Sequence, residues 1–228
     1  MKKTTLQNYS DENGNKIIMH GECNTGGGGQ PPTVLFRGRN NLLEVDKDSK
    51  IYNSIIRFDS HGGKLKIGKN VQYTGVIRVG LGCEVKIGEK TTVTANCYIS
   101  AAEYTQIIIG NDCMFASNNR VCTDDAHPIF EIETGQRINR SRDITIGDHV
   151  WLGFESVVLA GANIGSGSVI GMRGLVKKNI PCNTLAVGAP CKAIKENIAW
   201  ERTHLNLCPP FIFDKPTGPL MDFRNNQK

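Results

Sequence analysis

Apolar residues recur at every sixth position through the middle of this chain. Five Ile-Gly dyads, at 67–68, 87–88, 109–110, 146–147 and 164–165, set the frame. Six residues after each isoleucine stand Tyr73, Val93, Phe115, Leu152 and Ile170. Twelve residues after stand Val79, Ile99, Val121, Val158 and Val176. At the fourth position stand Val71, Thr91, Cys113, Val150 and Ser168, all small or β-branched. A six-residue period is neither the ~3.6 of a helix nor the two-residue alternation of a plain strand. It describes a short strand, then a sharp turn, repeated. Three such units close a triangular coil, with the apolar residue of each hexad inward and a glycine or polar residue easing the corner. Stacked coils hydrogen-bond as parallel strands about 4.8 Å apart and bury one another's faces. The pattern therefore predicts an all-β parallel β-helix.

The dyads are spaced by 20, 22, 37 and 18 residues. The long spacing marks an excursion over residues 124–145, and loops longer than ~12–15 residues in a compact domain are usually functional or disordered. His127 stands at its root, in "CTDDAHPIF". The ends are read as an N-terminal cap segment over 1–40 and a C-terminal segment over 189–228, flanking a β-helix over 41–188. "GGGGQPP" at 26–32 reads as a flexible joint, and residues 1–25 as a cap or strand pair. Residues 189–204 are expected to form a short helix closing the last coil. Beyond it the prolines of "CPPFIFDKPTGP" prevent regular structure, and Phe211, Ile212 and Phe213 are expected to cover an apolar surface.

Composition narrows the class. The 228 residues include 25 glycines and are 39% hydrophobic and 7% aromatic, which favours strands and turns over a helical bundle. No apolar run approaches the ~20 residues of a membrane span, and no apolar stretch follows the charged N-terminus as in a secretory signal. Eight cysteines form no CxxC pair, so zinc is not expected and a reduced, cytoplasmic protein is. The formal charge of +5 permits an anionic partner. No nucleic acid partner is expected.

The repeat, the His-Pro loop, "GDHVWLG" at 147–153 and "VGAPCKAIK" at 187–195 together resemble the hexapeptide-repeat acetyltransferases. The resemblance covers residues 67–196 and, loosely, 41–66. Its nearest patterns are the maltose and galactoside acetyltransferases and the capsular polysaccharide O-acetyltransferases, including those acting on polysialic acid. In these a tryptophan follows the histidine by 24 residues, as Trp151 follows His127 here. The resemblance implies a left-handed β-helix, a closed homotrimer and acetyl-CoA as acetyl donor, with no metal. It makes His127 the general base and Trp151 a residue of the thioester or acceptor end. Asp124, Asp125 or a backbone carbonyl would orient the imidazole. Asn96 and Asn118 would contact the acceptor. Phe154 and Met172, with Arg173, would line the pantetheine arm, Lys177 and Lys178 the adenosine end, and Lys192 and Lys195 the nucleotide phosphates. The family usually has small residues at the position of Phe154, and Ala-Gly where Met172 and Arg173 stand, so this groove wall is bulkier.

Each residue also has a plainer reading. Trp151 could shield a coil edge, Asn96 could serve a tight turn, and any one lysine could belong to a solvated basic face. His149, inside a corner, is read as structural or exposed, and His20, His61 and His204 lie outside the core. The chemistry favours His127: a sugar hydroxyl is a poor nucleophile, and general-base catalysis by histidine gives ~10²–10⁴-fold. The N-terminus lacks the helical segment that encloses a small sugar in the family. The basic "RINRSR" and the positive charge suit an acidic glycan, with polysialic acid preferred. The alternatives are N-acetylation of an amino sugar or nucleotide sugar, and a noncatalytic scaffold. A three-histidine zinc enzyme of this fold is excluded, because only His127 and His149 lie in the repeat region.

Overall fold

The computed structural model describes residues 1–24, 29–205 and 214–226. Among these the chain is nearly all β, wound into a solenoid of about 7 turns. The hexad frame holds throughout. The five isoleucines and the ten apolar residues six and twelve positions on are all buried, none more than 3% exposed, and the residues at the fourth position are buried with them. They form one continuous core.

Three faces result. The first stacks Lys16–Met19, Leu42–Val45, Lys64–Ile67, Glu84–Ile87, Gln106–Ile109, Ile144–Ile146, Asn163–Ile164 and Asn179–Ile180 in parallel register. The second runs through Thr92–Ala95, Met114–Ser117, Trp151–Leu152, Val169–Ile170 and Leu185–Val187. The third runs through Thr33–Phe36, Cys97–Ala101, Arg120–Cys122, Val157–Leu159 and Leu175–Val176. Two long strands, Lys50–Phe58 and Gln72–Val79, serve both of the latter faces.

Corners between the faces recruit left-handed residues. Asn96, Asn118, Glu155 and Arg173 turn the chain from the second face to the third, with φ of 54°, 63°, 57° and 57°. Asn70, Lys90, Asp112, His149 and Asn183 turn it from the first to the second. Asparagine and aspartate tolerate this region because their short side chains bond locally. At Gly75 a Cβ would stand 2.0 Å from the Cys97 carbonyl oxygen, so only glycine lets the coils approach there.

The ends differ from expectation in one respect and extend it in another. The parallel ladder already includes Lys16–Met19, within the segment read as a cap, and Lys2–Thr5 pairs antiparallel with Thr33–Phe36. The helix expected over 189–204 is absent. Lys192–Lys195 instead folds back antiparallel on Leu185–Val187, and 196–204 is irregular. The last coil presents open backbone N–H and C=O groups along its edge, and a returning strand satisfies them where a helix cannot. Phe211, Ile212 and Phe213 lie outside the described residues. No helix of the described residues is long and apolar enough to cross a membrane.

Candidate active site

The excursion leaves the third face after Cys122 and rejoins the first at Ile144. It folds as a small hairpin: Ile138 N–H donates to the Ile129 carbonyl at 2.9 Å, and Glu131 N–H to that of Gln136 at 2.9 Å. Ile129, Phe130, Ile132 and Ile138 are exposed on it, Ile132 almost completely.

His127 is fixed through its backbone, not its ring. Its N–H donates to the Asp125 carbonyl at 2.8 Å, and its own carbonyl accepts from Asn139 Nδ2 at 2.9 Å. Asn139 also reaches Asp125 Oδ2 at 3.0 Å and accepts from Ile129 N–H at 2.7 Å, closing the loop root. The imidazole is exposed and makes no hydrogen bond among the described residues. Neither aspartate orients it. Asp124 accepts from Ser100 Oγ at 3.0 Å and Ala126 N–H at 2.9 Å, while Asp125 is held by Asn139. The ring therefore stands free to take a proton from a bound molecule.

A second staple comes from Glu103, at a left-handed corner one coil earlier (φ 58°). Its carboxylate takes both ends of the Arg137 guanidinium, and also Ser141 N–H at 3.1 Å and Oγ at 2.7 Å. The Arg137 hydrogen bond, then those from Ser141, hold its pKa at about 2. Of the "RINRSR" arginines, Arg137 is thus engaged and Arg142 donates to the Ala160 carbonyl at 3.2 Å. Arg140 is exposed with no partner among the described residues.

Trp151 lies on the second face, in register with Met114 and Val169. Its ring is 37% exposed and tilts 48° against Trp200 at 5.9 Å. A groove of about 680 Å³ opens beside it, bordered by Met114, Trp200 and Leu220. The C-terminal segment is sewn to this face. Trp200 stacks on His149 at 4.0 Å and donates its indole N–H to the His149 carbonyl at 2.9 Å. His149 is buried, with Nδ1 2.6 Å from Asp112 Oδ2 and Nε2 3.0 Å from the Trp200 carbonyl oxygen. Arg202 binds Asp112, Thr92 and the Cys113 carbonyl.

Within one chain the expected site residues divide among edges. Asn96, Asn118, Phe154, Met172 and Arg173 share the corner between the second and third faces, where Arg173 N–H donates to the Phe154 carbonyl. Arg173 Nε also bonds Glu155 at 2.7 Å. Lys177 and Lys178 occupy the corner between the third and first faces, the one from which the His127 loop departs. Lys192 and Lys195 lie on the strand that closes the second face. All four lysines are exposed with no ion pair among the described residues, so their charges are available to an anion. No hydrogen bond or ring contact joins His127 to Trp151 among the described residues. Glu103, Asn139 and the Trp200–His149 stack carry no sequence signal, because their partners lie 10 to 51 residues away at no recurring spacing.

A three-faced solenoid of hexads with a histidine on a projecting loop matches the hexapeptide-repeat class, whose β-helix is left-handed. No protein-family profile matches the chain. It is 35% identical over 182 residues to the polysialic acid O-acetyltransferase of Neisseria meningitidis, across 79% of this chain and 83% of that one. It superposes on the polySia-specific acetyltransferase NeuO with a TM-score of 0.80 at 34% identity, covering 86% and 88% of the two chains. The polysialic acid O-acetyltransferase OatWY gives a TM-score of 0.55 at 27% identity, covering 85% and 94%. The chain belongs to the polysialic acid O-acetyltransferase family, within the hexapeptide-repeat acetyltransferases.

Proposed function

We propose that the protein transfers acetyl from acetyl-CoA to a hydroxyl of polysialic acid in the cytoplasm, with His127 as general base. The observation that carries the reading is the free imidazole of His127 on a backbone-anchored loop. The donor supplies an acetyl thioester. One ring nitrogen takes the proton of the sugar hydroxyl as its oxygen attacks the thioester carbonyl. The C–S bond breaks as the ester forms, and the imidazolium returns the proton to the departing thiolate. The ring is neutral again at the end of the cycle.

The division of site residues among edges favours a site built by two chains. His127 from one copy would meet Trp151 and the Phe154–Met172 corner of another, and a closed trimer would repeat the arrangement three times. The exposed apolar hairpin around Ile132 supports this, since nothing among the described residues covers it. The four unpaired lysines fit the phosphates of coenzyme A as point charges.

The test is thiol release from acetyl-CoA in the presence of sialic acid polymers. His127→Ala should lower transfer by ~10²–10⁴-fold with an unchanged circular dichroism spectrum. Turnover near the wild-type rate in that variant would remove His127 from the mechanism. Absence of polymer-dependent thiol release in the wild type would remove the acceptor.

A further inference from the structure

The outer surface of the third face carries residues used by no step above. Arg57 and Arg78 stand on consecutive coils in one column, continued by Ser100 and Cys122. Tyr98 and Arg120 stand on consecutive coils in the column beside it. Asp59 gathers three guanidinium groups, from Arg78 at 2.8 Å, Arg57 at 3.0 Å and Arg37 at 3.7 Å. Burial pushes the Asp59 carboxyl up, but Arg78 and Arg57 outweigh it and hold the group below the usual carboxylate range. One carboxylate facing three arginines leaves positive charge on this surface.

Tyr98 sits between two more contacts. Its hydroxyl accepts from Arg78 at 3.1 Å, and the Arg120 guanidinium lies over its ring at 5.2 Å. The Arg120 side chain is exposed and its guanidinium makes no hydrogen bond or ion pair among the described residues, so the guanidinium N–H donors are uncommitted. Between these side chains a concavity of about 320 Å³ runs to Asp124, Asp125 and Ala126, the residue before His127.

We propose that this concavity is the acceptor track of the enzyme. Arg120, with Arg78 behind it, seats the carboxylate of one sugar unit, and Tyr98 packs under the ring. The inference rests on the acidic polysaccharide acceptor proposed above. Arginine is suited to the task because its planar fork matches a carboxylate. The far end of the concavity selects the opposite group. Asp124 and Asp125 line it there, and their carboxyl oxygens accept from a hydroxyl but offer no donor to a second carboxylate. The carboxylate is drawn to the arginine end and a hydroxyl to the end beside His127. Further along the polymer, the next units meet Arg57 and Arg37 on earlier coils, so binding strengthens with acceptor length.

Arg120→Ala and Arg120→Lys test this, because Arg120 is exposed and its loss leaves the Asp59 cluster intact. Acceptor binding to polysialic acid is followed by calorimetry, alongside KM and kcat for polymer and for acetyl-CoA and the oligomeric state by sedimentation. Arg120→Ala should raise the acceptor KM and Kd about tenfold, with kcat and the KM for acetyl-CoA within about twofold of wild type. Arg120→Lys should recover part of the loss. An unchanged acceptor Kd in Arg120→Ala overturns the track while the acceptor assignment stands. A changed sedimentation coefficient also overturns it, making this face a contact between copies. A wild-type enzyme that neither binds nor acetylates polysialic acid overturns both the acceptor and the track.

Discussion

At the scale of single residues, the loop that carries His127 is held by two polar side chains, Asn139 and Glu103. Asn139 accepts from Ile129 N–H and donates to the His127 carbonyl, while Glu103 binds Arg137 and Ser141 from the coil edge. A small error in the position of a base is expensive, since a 1 Å misplacement can cost ~10²-fold. Glu103→Ala should therefore lower kcat by roughly 10–100-fold while the β-helix melts as before. An unchanged kcat would show that the hairpin keeps its place without the staple. The pH dependence of this staple has a definite sign. The Glu103 pKa is depressed to about 2, first by Arg137 and then by Ser141. Its contribution is thus complete above the ordinary carboxylate pKa and fades only as pH falls through about 2. Loop anchoring, read by protease cleavage at Arg140, should be constant from neutral pH down to about 5.

At the scale of elements, the coils and the tail obey different rules. A coil is legible because its inward positions recur by arithmetic. Tyr73, Phe115 and Leu152 occupy equivalent places on successive turns and are all buried. The loop was legible as a break in that arithmetic, and His127 as the histidine at its root. What holds the loop was not, because Glu103 to Arg137 and Asn139 to His127 are single pairings with no period. The stretch 189–204 failed for a related reason. Its local sequence contains helix formers, but the open edge of Leu185–Val187 decided its conformation. The chain beyond is then fastened by Trp200 on His149 and by Arg202 on Asp112. Arg202→Ala removes hydrogen bonds to Asp112, Thr92 and the Cys113 carbonyl, and should cost about 1–2 kcal/mol. The melting temperature should fall by a few degrees. The chain has 2 tryptophans, and both border the loosened groove, so emission should shift to the red. A spectrum unchanged in Arg202→Ala would mean that the stack with His149 alone holds this segment.

At the scale of the whole molecule, the three faces present three different surfaces. The first is polar and charged, with Lys64, Lys66, Glu84 and Lys86 pointing outward. The second is partly covered by the C-terminal segment. The third carries arginines toward its N-terminal end and the half-buried Val157, Leu159 and Leu175 toward its C-terminal end. His127 leaves from the far corner of the third face, and Trp151 begins the second, with a whole face between them in the path of the chain. The separation fits the proposed arrangement, in which one copy supplies His127 and the next supplies Trp151. Mixed assemblies distinguish it from a site within one chain. His127→Ala and Trp151→Ala chains, each inactive alone, are unfolded together, refolded and assayed. In a closed ring each site takes its histidine from one chain and its tryptophan from the next. Random mixing in equal amounts then restores about one quarter of the sites, since half of the chains keep the histidine and half keep the tryptophan. If both residues came from the same chain, no mixture could restore a complete site and activity would stay at the level of the separate variants.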